Sequence, residues 1–462
     1  MIWRCMLLLF GCLGTSFFTY GAEYTIPAQI VSLSQCKDIA SKNYLPLQIA
    51  RDEVVLATLK ITEAKRNLFP SAAIKYQENE GTIDNNPFTG KRYDLEFKQP
   101  ISLGGKDMYV LKQTKKELNI ANENLKKVSL DLTFEIAQNY YNLIYSENEF
   151  KTLLELKAEA FQLLNLAQSK YKLGVISELD YFNAKHLYEQ IEFKTLSSRS
   201  NLSLVKLGLC QKLDVDEKIR FDFPLTLSVP SDIFVLEDCV STAMEKRAEM
   251  RIAGDYLLYS EYGKKAAKAN SFPRVDLVGK IGQGKETYEF ENRDLKTEWL
   301  LGAKVEVPFG ANTASASYSM DKKAQSLSSY HSGDESQSRE YKIDILNNLG
   351  IHTEKKQSEI DHKKAMNDLD EAKKKIIQEV KESFYAYQKS SIQRKSSKSK
   401  VVFLEKDESF TEAKTKNNKA KIAELLQVKI NRVQARLEYL KSLTEVNINI
   451  CALYKARGEE RP

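Results

Sequence analysis

The sequence is poor in the residues from which most active sites are built. Its four histidines, His186, His331, His352 and His362, are scattered and have no Cys, His or Asp partner at metal-ligand spacing. The chain also has no Gly-x-Ser-x-Gly motif, no Walker loop and no zinc signature. We therefore expect no catalytic site, no metal and no cofactor, and the energy for any transport must come from a partner.

Long apolar runs and a strong net charge are missing as well. After the N-terminal segment, no run approaches the roughly 18 apolar residues of a membrane-spanning helix. The net charge of +6 is spread over 462 residues, with lysines and glutamates interleaved, so no nucleic-acid partner is expected. Residues 1–22 predict a secretory signal peptide, with Arg4 before an apolar segment and small residues at its end. Lipidation at Cys12 is the alternative.

Proline and glycine are absent from Lys106 to Tyr171, and this long interval organises the chain. Leucines recur there every seven residues, at Leu111, Leu118, Leu125 and Leu132. This spacing predicts one long helix packed lengthwise against others, on the order of 95 Å long. Gly174 then interrupts the pattern, and a second helix is predicted from Glu178 to Leu213. The two form an antiparallel hairpin.

The chain is an internal duplication. Cys36 matches Cys239, Ala64-Lys65 matches Ala267-Lys268, and Phe69-Pro70 matches Phe272-Pro273, always 203 positions apart and without a gap. We assign repeat 1 to residues 23–213, a linker to 214–235, repeat 2 to 236–455 and a tail to 456–462. An insertion at about 311–352, rich in Ser, Gly, Asp and Glu, is predicted to be a mobile surface excursion.

Each repeat predicts the same order of elements. A helix (about Ser32 to Asn67, and about Leu236 to Asn270) ends before Phe-Pro, and two strands with alternating apolar and polar residues follow. The alternation is clearest in Tyr93–Lys98 and Trp299–Val307. Polar loops are predicted at 79–92 and 282–296. A long helical hairpin completes each repeat, the second from about Ser358 to Lys455.

Four half-apolar strands in an exported chain admit two interpretations. One is a small soluble sheet covered by helices. The other is a membrane wall shared between several chains, because open sheet edges are not tolerated in hydrocarbon and four strands are too few to close a barrel. Export, duplication and hairpins longer than a sheet can cover favour the shared wall.

The chain resembles the TolC-type outer-membrane efflux channel family over its mature length. The resemblance rests on the duplicated helix–Phe-Pro–strand units, on Gln99-Pro100 followed by Gly104-Gly105, on Tyr140-Tyr141, and on the turn from Tyr171 to Asp180. That turn, Tyr-Lys-Leu-Gly-Val-Ile-Ser-Glu-Leu-Asp, is similar to the hairpin-tip motif of the family.

The resemblance implies a fold that is mainly α with β. Long antiparallel helical hairpins would form a periplasmic tunnel, and four strands from each of three chains would form one 12-stranded barrel in the outer membrane. The implied partners are two further copies of the chain, a periplasmic adaptor (membrane fusion) protein, an inner-membrane pump and outer-membrane lipid. The implied function is the exit duct of tripartite efflux or type I secretion. The alternative is an exported coiled-coil scaffold without a pore.

The hairpin tips are the predicted adaptor-docking site. At the first tip, Gly174 should allow the turn, Leu173 and Val175 should offer apolar contacts, and Ser177 should cap the returning helix. The aligned second tip places Ala420 opposite Gly174 in a basic segment. The full predicted docking set is Lys170, Leu173, Gly174, Val175, Ser177, Asp180, Lys419, Ala420 and Glu424.

Several family members narrow the tunnel mouth with aspartates. The same alignment puts Leu426 at that position, with Lys429 one turn further and Glu424 as the nearest carboxylate. We therefore expect a constriction formed by Glu424, Leu426 and Lys429 that is not acidic. The basic tip is hypothesised to favour anionic substrates or an acidic adaptor surface.

Two further expectations follow from the implied fold. The apolar sides of the strands should face lipid through Leu95, Phe97, Leu277, Trp299 and Leu301. The first and last helices of each repeat should meet at the waist of the tunnel, which predicts disulfides Cys36–Cys210 and Cys239–Cys451 in an oxidising compartment. Four buried thiols are the alternative.

Overall fold

The computed structural model describes residues 32–83, 86–216, 227, 233–288, 294–323, 335–417 and 420–460. The predicted signal peptide, Cys12 and most of the predicted linker 214–235 lie outside the described residues. None of the described helices is both long and apolar enough to cross a bilayer.

Repeat 1 consists of two short helices, a pair of strands and a long helical hairpin. Its elements are α1 (Leu33–Asn43), α2 (Leu45–Arg66), β1 (Ser71–Ile83), β2 (Asn86–Ser102), α3 (Lys106–Lys172) and α4 (Glu178–Leu213). The hairpin helices therefore have the bounds predicted from the sequence, to within one residue. At 67 residues, α3 spans about 100 Å.

Repeat 2 begins with the same elements and adds two strands. Its elements are α5 (Leu236–Lys246), α6 (Ala248–Ala269), β3 (Arg274–Tyr288), β4 (Lys296–Phe309), β5 (Asn312–Lys322), β6 (Glu335–Asp344), α7 (Gly350–Lys416) and α8 (Ile422–Ala456). Both ends of α5 and α6 and the start of β3 lie 203 positions after those of α1, α2 and β1. The sequence register and the structural repeat therefore coincide.

The opening helix of each repeat, predicted to be continuous, is broken in two. In repeat 1 the break lies at Tyr44, which is extended and precedes the Pro46 of the first turn of α2. This placement is the one that proline tolerates in a helix. In repeat 2 the break lies at Arg247, whose buried guanidinium group bridges Glu249 and Glu379. A buried ion pair therefore accompanies the second break, where no proline is present.

Within the described residues, the sheet has six antiparallel strands in chain order, β1 to β6, rather than the four predicted. The predicted loops 79–92 and 282–296 belong largely to strands, because β1–β2 pairing extends from Ser71↔Lys98 to Ile83↔Asn86. The insertion at 311–352, predicted to be a mobile excursion, contains β5, β6 and the start of α7. The missed signal was the strict alternation Ala-Ser-Ala-Ser-Tyr-Ser-Met-Asp from Ala314 to Asp321.

The helical core is divided into clusters along the hairpins. The predicted seam is buried at Leu111 and Leu132 and half-buried at Leu118 and Leu125. Around Leu132, one cluster joins the first and last helices of repeat 1 through Cys36, Tyr140 and Leu209. Its counterpart in repeat 2 joins Cys239, Val380 and Leu453.

The four cysteines among the described residues are buried in this core, but no disulfide bond joins them. The predicted pairs Cys36–Cys210 and Cys239–Cys451 are therefore not formed. Burial, together with the nearby Cys210 sulfur, raises the pKa of Cys36 to about 12. A thiol in this state is protonated and apolar in character, which fits its place among leucines. The expected proximity of Cys36 to Cys210 is present, because both belong to one cluster.

Candidate functional site: the hairpin tips

The first hairpin turns through a glycine in the left-handed region. Gly174 has φ of +71°. Its N–H donates to the Tyr171 carbonyl at 2.9 Å, and the Val175 N–H donates to the Lys170 carbonyl at 2.9 Å. These two bonds form a Schellman motif, which satisfies the last carbonyls of α3. The local role predicted for Gly174 is therefore the one observed.

Replacing Gly174 by alanine is expected to destabilise this tip by about 1 kcal/mol. No atom lies within 4 Å of an added Cβ, so the cost arises from the left-handed backbone alone. Hydrogen exchange of the tip amides, measured by mass spectrometry, should become faster. The matched control is Gly208→Ala in α4, where a Cβ also meets open space but φ is not positive. That change should stabilise the helix by about 0.5–1 kcal/mol. Native exchange at the tip of Gly174→Ala would contradict the expectation.

The returning helix α4 is capped by Ser177, as predicted. The Ser177 hydroxyl accepts from the Asp180 N–H at 3.1 Å and donates to the Asp180 carboxylate at 2.8 Å. The same carboxylate lies 3.0 Å from the ammonium group of Lys421, just before α8. The Ser177 hydrogen bond, followed by the Lys421 contact, lowers the pKa of Asp180. Asp180 therefore remains ionised at neutral pH and ties the two tips of one chain together.

The second tip follows a different register from the one predicted. Its helices end and begin 244 positions after those of the first tip: α7 ends at Lys416 and α8 begins at Ile422, against Lys172 and Glu178. Ala420 is thus the counterpart of Ile176 rather than of Gly174, and the exposed Glu424 is the counterpart of Asp180. The sequence alignment was wrong because it matched the two Glu-Leu pairs, whereas the helix ends define the turn. Lys419 lies outside the described residues.

Leu426 cannot form the predicted constriction. Its exposure is 0%, and it belongs to an apolar cluster that joins α3, α4 and α8 through Leu153, Leu156, Ile191 and Ile430. Leu426 therefore serves as the contact between the two hairpins. Leu426 is therefore wrong as a member of the predicted mouth, whereas a role of the exposed Glu424 there stays a prediction.

Lys429 is also enclosed, in a cluster of charged side chains from three helices. Its ammonium group lies 2.9 Å from Glu408, 3.0 Å from Glu412 and 3.0 Å from Glu159. Arg432 contacts the second oxygen of Glu408 at 3.0 Å. Burial would lower the pKa of Lys429, but the hydrogen bonds that its ammonium group donates to the three carboxylates more than offset this effect, and the pKa is raised.

Lys429 therefore adds no unpaired positive charge to the basic second tip, whose hypothesised preference for anionic substrates stays a prediction. Two cations face three carboxylates, so this part of the second hairpin carries no excess of positive charge. The signal was readable in the sequence, since Glu408 and Glu412 are four apart on α7 and Lys429 and Arg432 are three apart on α8. The sequence could not show that these faces meet, or that Glu159 of α3 joins them.

An apolar surface surrounds the first tip. Leu173 and Leu179 are each 78% exposed and Val175 is 63% exposed. Beneath them, the small residues Ala167 of α3 and Ala184 of α4 form one buried cluster with Ile422 of α8. Exposed leucines and a valine on a rigid turn, next to the Asp180–Lys421 pair, form a contact surface with apolar and charged parts.

The six-stranded sheet has one apolar and one ionic face. Pairing aligns Leu95 with Ile281 and Trp299, Phe97 with Gly279 and Leu301, and Leu277 with Ala303. All five residues predicted to face lipid therefore share one side. On the other side, Arg92 meets Glu298 at 2.8 Å and Lys280 meets Asp94 at 2.9 Å.

The sequence and the fold were compared with those of known proteins. Residues 38–203 match the family model described as outer membrane efflux protein. No protein of curated function matches the sequence significantly.

Solved structures match nearly the whole chain. A membrane protein from Pseudomonas aeruginosa aligns with a TM-score of 0.75 at 15% identity, covering 93% of this chain and 95% of that chain. The outer membrane protein VceC from Vibrio cholerae aligns at 0.72 and 15%, covering 93% and 96%. The CmeC outer membrane channel from Campylobacter jejuni aligns at 0.73 and 14%, covering 92% and 85%. The predicted resemblance to TolC-type channels, and the fold of helical hairpins with an antiparallel sheet, are confirmed.

Proposed function

We propose that this chain, which matches the outer membrane efflux protein family in residues 38–203 and has the fold of an outer membrane channel over 92% of its length, is an outer-membrane exit duct. Three copies surround one axis. An inner-membrane pump supplies the energy and expels substrates through the duct, by way of a periplasmic adaptor, in tripartite efflux or type I secretion. The duct itself performs no chemistry.

The observation that carries this proposal is that long helical hairpins are joined to a sheet with an exposed apolar face. Helices of about 100 Å continue directly into a sheet whose apolar face is open to the surroundings. Ile74 is 90% exposed and Leu301 is 63% exposed on that face. Such an area is unfavourable in water and favourable against hydrocarbon. A soluble coiled-coil scaffold would gain nothing from it, so the scaffold alternative is not favoured.

The adaptor docks, in this proposal, on the surface at the hairpin tips. Leu173 and Val175 supply exposed apolar contacts, while Lys170, Asp180 and Glu424 supply charge beside them. Gly174 and Ser177 act indirectly, because they hold the turn in shape. Ala420 lies on the corresponding turn of the second tip.

Purified mature protein, reconstituted in planar lipid bilayers, tests the proposal. We expect discrete conductance steps, an oligomer extracted from membranes by detergent, and loss of resistance to toxic compounds when the gene is deleted.

A second measurement addresses docking: Leu173→Asp with Val175→Asp should abolish cross-linking to the adaptor while conductance persists. Ile233→Asp, an exposed apolar residue outside the tip, is the control. A water-soluble monomer without conductance would refute the pore.

A further inference from the structure

The edges of the sheet are strands β1 and β6. Within the described residues, each has a neighbouring strand on one side only, β2 and β5 respectively. All neighbours in the sheet are antiparallel, so β1 and β6 run in opposite directions. The β6 strand of one copy can therefore pair with β1 of a second copy and continue the same alternation.

Strands β5 and β6 carry the two-faced pattern of the other strands. Tyr341 pairs with Ala316 and Ile343 pairs with Ala314, on the same face as Val305 and Val307 of β4. Ser338, Glu340 and Lys342 occupy the opposite face. Further along β6 the apolar face also carries Arg339, whose guanidinium group lies over the Tyr318 ring. Tyr341 is 79% exposed and Ile343 is 65% exposed, as are other residues of the apolar face. The apolar surface thus continues to the last strand.

The β5–β6 hairpin is firmly joined to the rest of the sheet. Gly310, with φ of +60°, and Ala311 connect β4 to β5 in a tight turn. The Asn312 side chain accepts from the Leu346 N–H at 2.9 Å, and the Ala311 carbonyl accepts from the Asn348 N–H at 2.9 Å. Strand β5 therefore occupies the edge of β4 from Trp299 to Phe309, and this part of β4 is closed to another copy.

The stagger of the sheet agrees with that of a closed membrane barrel. The end of each strand nearest the helices is its base, which is Ser71 in β1 and Asp344 in β6. Followed from partner to partner across the sheet, the residues paired with Ser71 lead to Ser338 on β6. Ser338 lies six residues from the base of β6. Over five strand spacings of about 4.8 Å, at about 3.3 Å per residue, this gives a strand tilt of about 40°. Membrane barrels have tilts of about 35–45°.

Exposed apolar residues flank both edges at their base. Ile345 is 76% exposed and Leu346 is 64% exposed after β6, while Phe69 is 64% exposed before β1. Pairing of β6 with β1 of a second copy would bring these residues together and remove them from water, which is favourable for each buried side chain.

We propose that the subunit seam lies between β6 of one copy and β1 of the next, so that each chain contributes six strands to the wall. Three copies then close an 18-stranded barrel in place of the 12-stranded one that the family resemblance implies. This inference rests on the proposed function, because only a membrane wall requires every edge to be paired. The barrel diameter grows roughly in proportion to strand number.

Cysteine cross-linking in membranes tests the seam. Ile74→Cys on β1 is combined in turn with Arg339→Cys, Tyr341→Cys and Ile343→Cys on β6, all on the apolar face. Oxidation should produce covalent dimers and trimers for at least one of these pairs. The matched control is Ile74→Cys with Val305→Cys on β4, which should remain monomeric on denaturing gels, as should each single variant.

The outcomes separate the seam from the pore. Two results would overturn the 18-stranded wall: cross-linking through Val305→Cys, or the absence of cross-links from every β6 pair in an oligomer that conducts ions. Neither result would contradict the proposed duct. A preparation without oligomer and without conductance refutes the duct as well. Counting barrel strands in an electron cryomicroscopy map of the purified oligomer gives an independent answer, with 18 expected and 12 contradictory.

Discussion

Replacing Lys429 by methionine is expected to lower the free energy of unfolding by about 3 kcal/mol. The change removes the cation that three carboxylates share and leaves Glu408, whose side chain is 9% exposed, with Arg432 alone. Breaking a buried pair by removing one partner leaves a poorly compensated charge, which typically costs about 3–5 kcal/mol. Glu159 and Glu412 are more exposed and remain partly solvated, so the low end of that range applies. Denaturation in detergent, followed by far-ultraviolet circular dichroism, measures the loss.

Lys400→Met is the matched control for Lys429→Met. Lys400 also joins α7 to α8, through Glu438 at 2.8 Å, but both side chains are about half exposed. An exposed pair contributes about 0–1 kcal/mol, so little change is expected. A second variant, Lys429→Met with Glu408→Leu, should recover part of the lost stability, because the most buried carboxylate is removed together with its cation and only Arg432 then loses a partner. Equal losses in the free energy of unfolding for Lys429→Met and Lys400→Met would show that the charged cluster stabilises the fold no more than an exposed ion pair does.

The pKa of Lys429 gives the sign of its pH dependence. Since the pKa is higher in the folded state than the usual 10.5, the stabilisation is fully present below about pH 10.5. It is lost only as the pH rises through the folded-state pKa. The effect of Lys429→Met should therefore be constant between pH 6 and pH 9.

Replacing Leu301 by lysine is expected to prevent most of the protein molecules from forming the folded, membrane-inserted oligomer. Leu301 lies on the apolar face between Gly279 and Met320, in the middle part of β4. A lysine on the lipid face of a membrane barrel costs about 2–4 kcal/mol near the bilayer centre, once for every copy in the ring. The amount of detergent-resistant oligomer in membranes measures the effect.

The neighbouring residue supplies the control for Leu301→Lys. Leu300 has similar size but lies on the opposite face, between Lys280 and Asp321. Leu300→Lys should insert and assemble nearly as well as the native chain. If Leu300→Lys fails and Leu301→Lys assembles, the assignment of the faces is reversed and the sheet is inverted relative to lipid.

Much of the helical architecture could be predicted from local sequence. The absence of proline and glycine from Lys106 to Tyr171 and the capping serine at Ser177 predicted α3 and α4 to within one residue. These signals act within a few residues of where they occur. The strands were harder, because alternation in β5 was overlooked and the long hairpin ends of β1 and β2 contain polar residues that are typical of loops.

The sequence by itself therefore determined the duplication, the hairpin helices of repeat 1, the Gly174 turn and the common face of Leu95, Phe97, Leu277, Trp299 and Leu301. Only the tertiary structure decided that Leu426 is buried, that Lys429 is neutralised, that Glu424 corresponds to Asp180 and in which order the strands pair. The reason is physical. Caps and periodicity depend on neighbours along the chain, whereas burial, ion pairing and sheet order depend on which elements from distant parts of the chain come into contact.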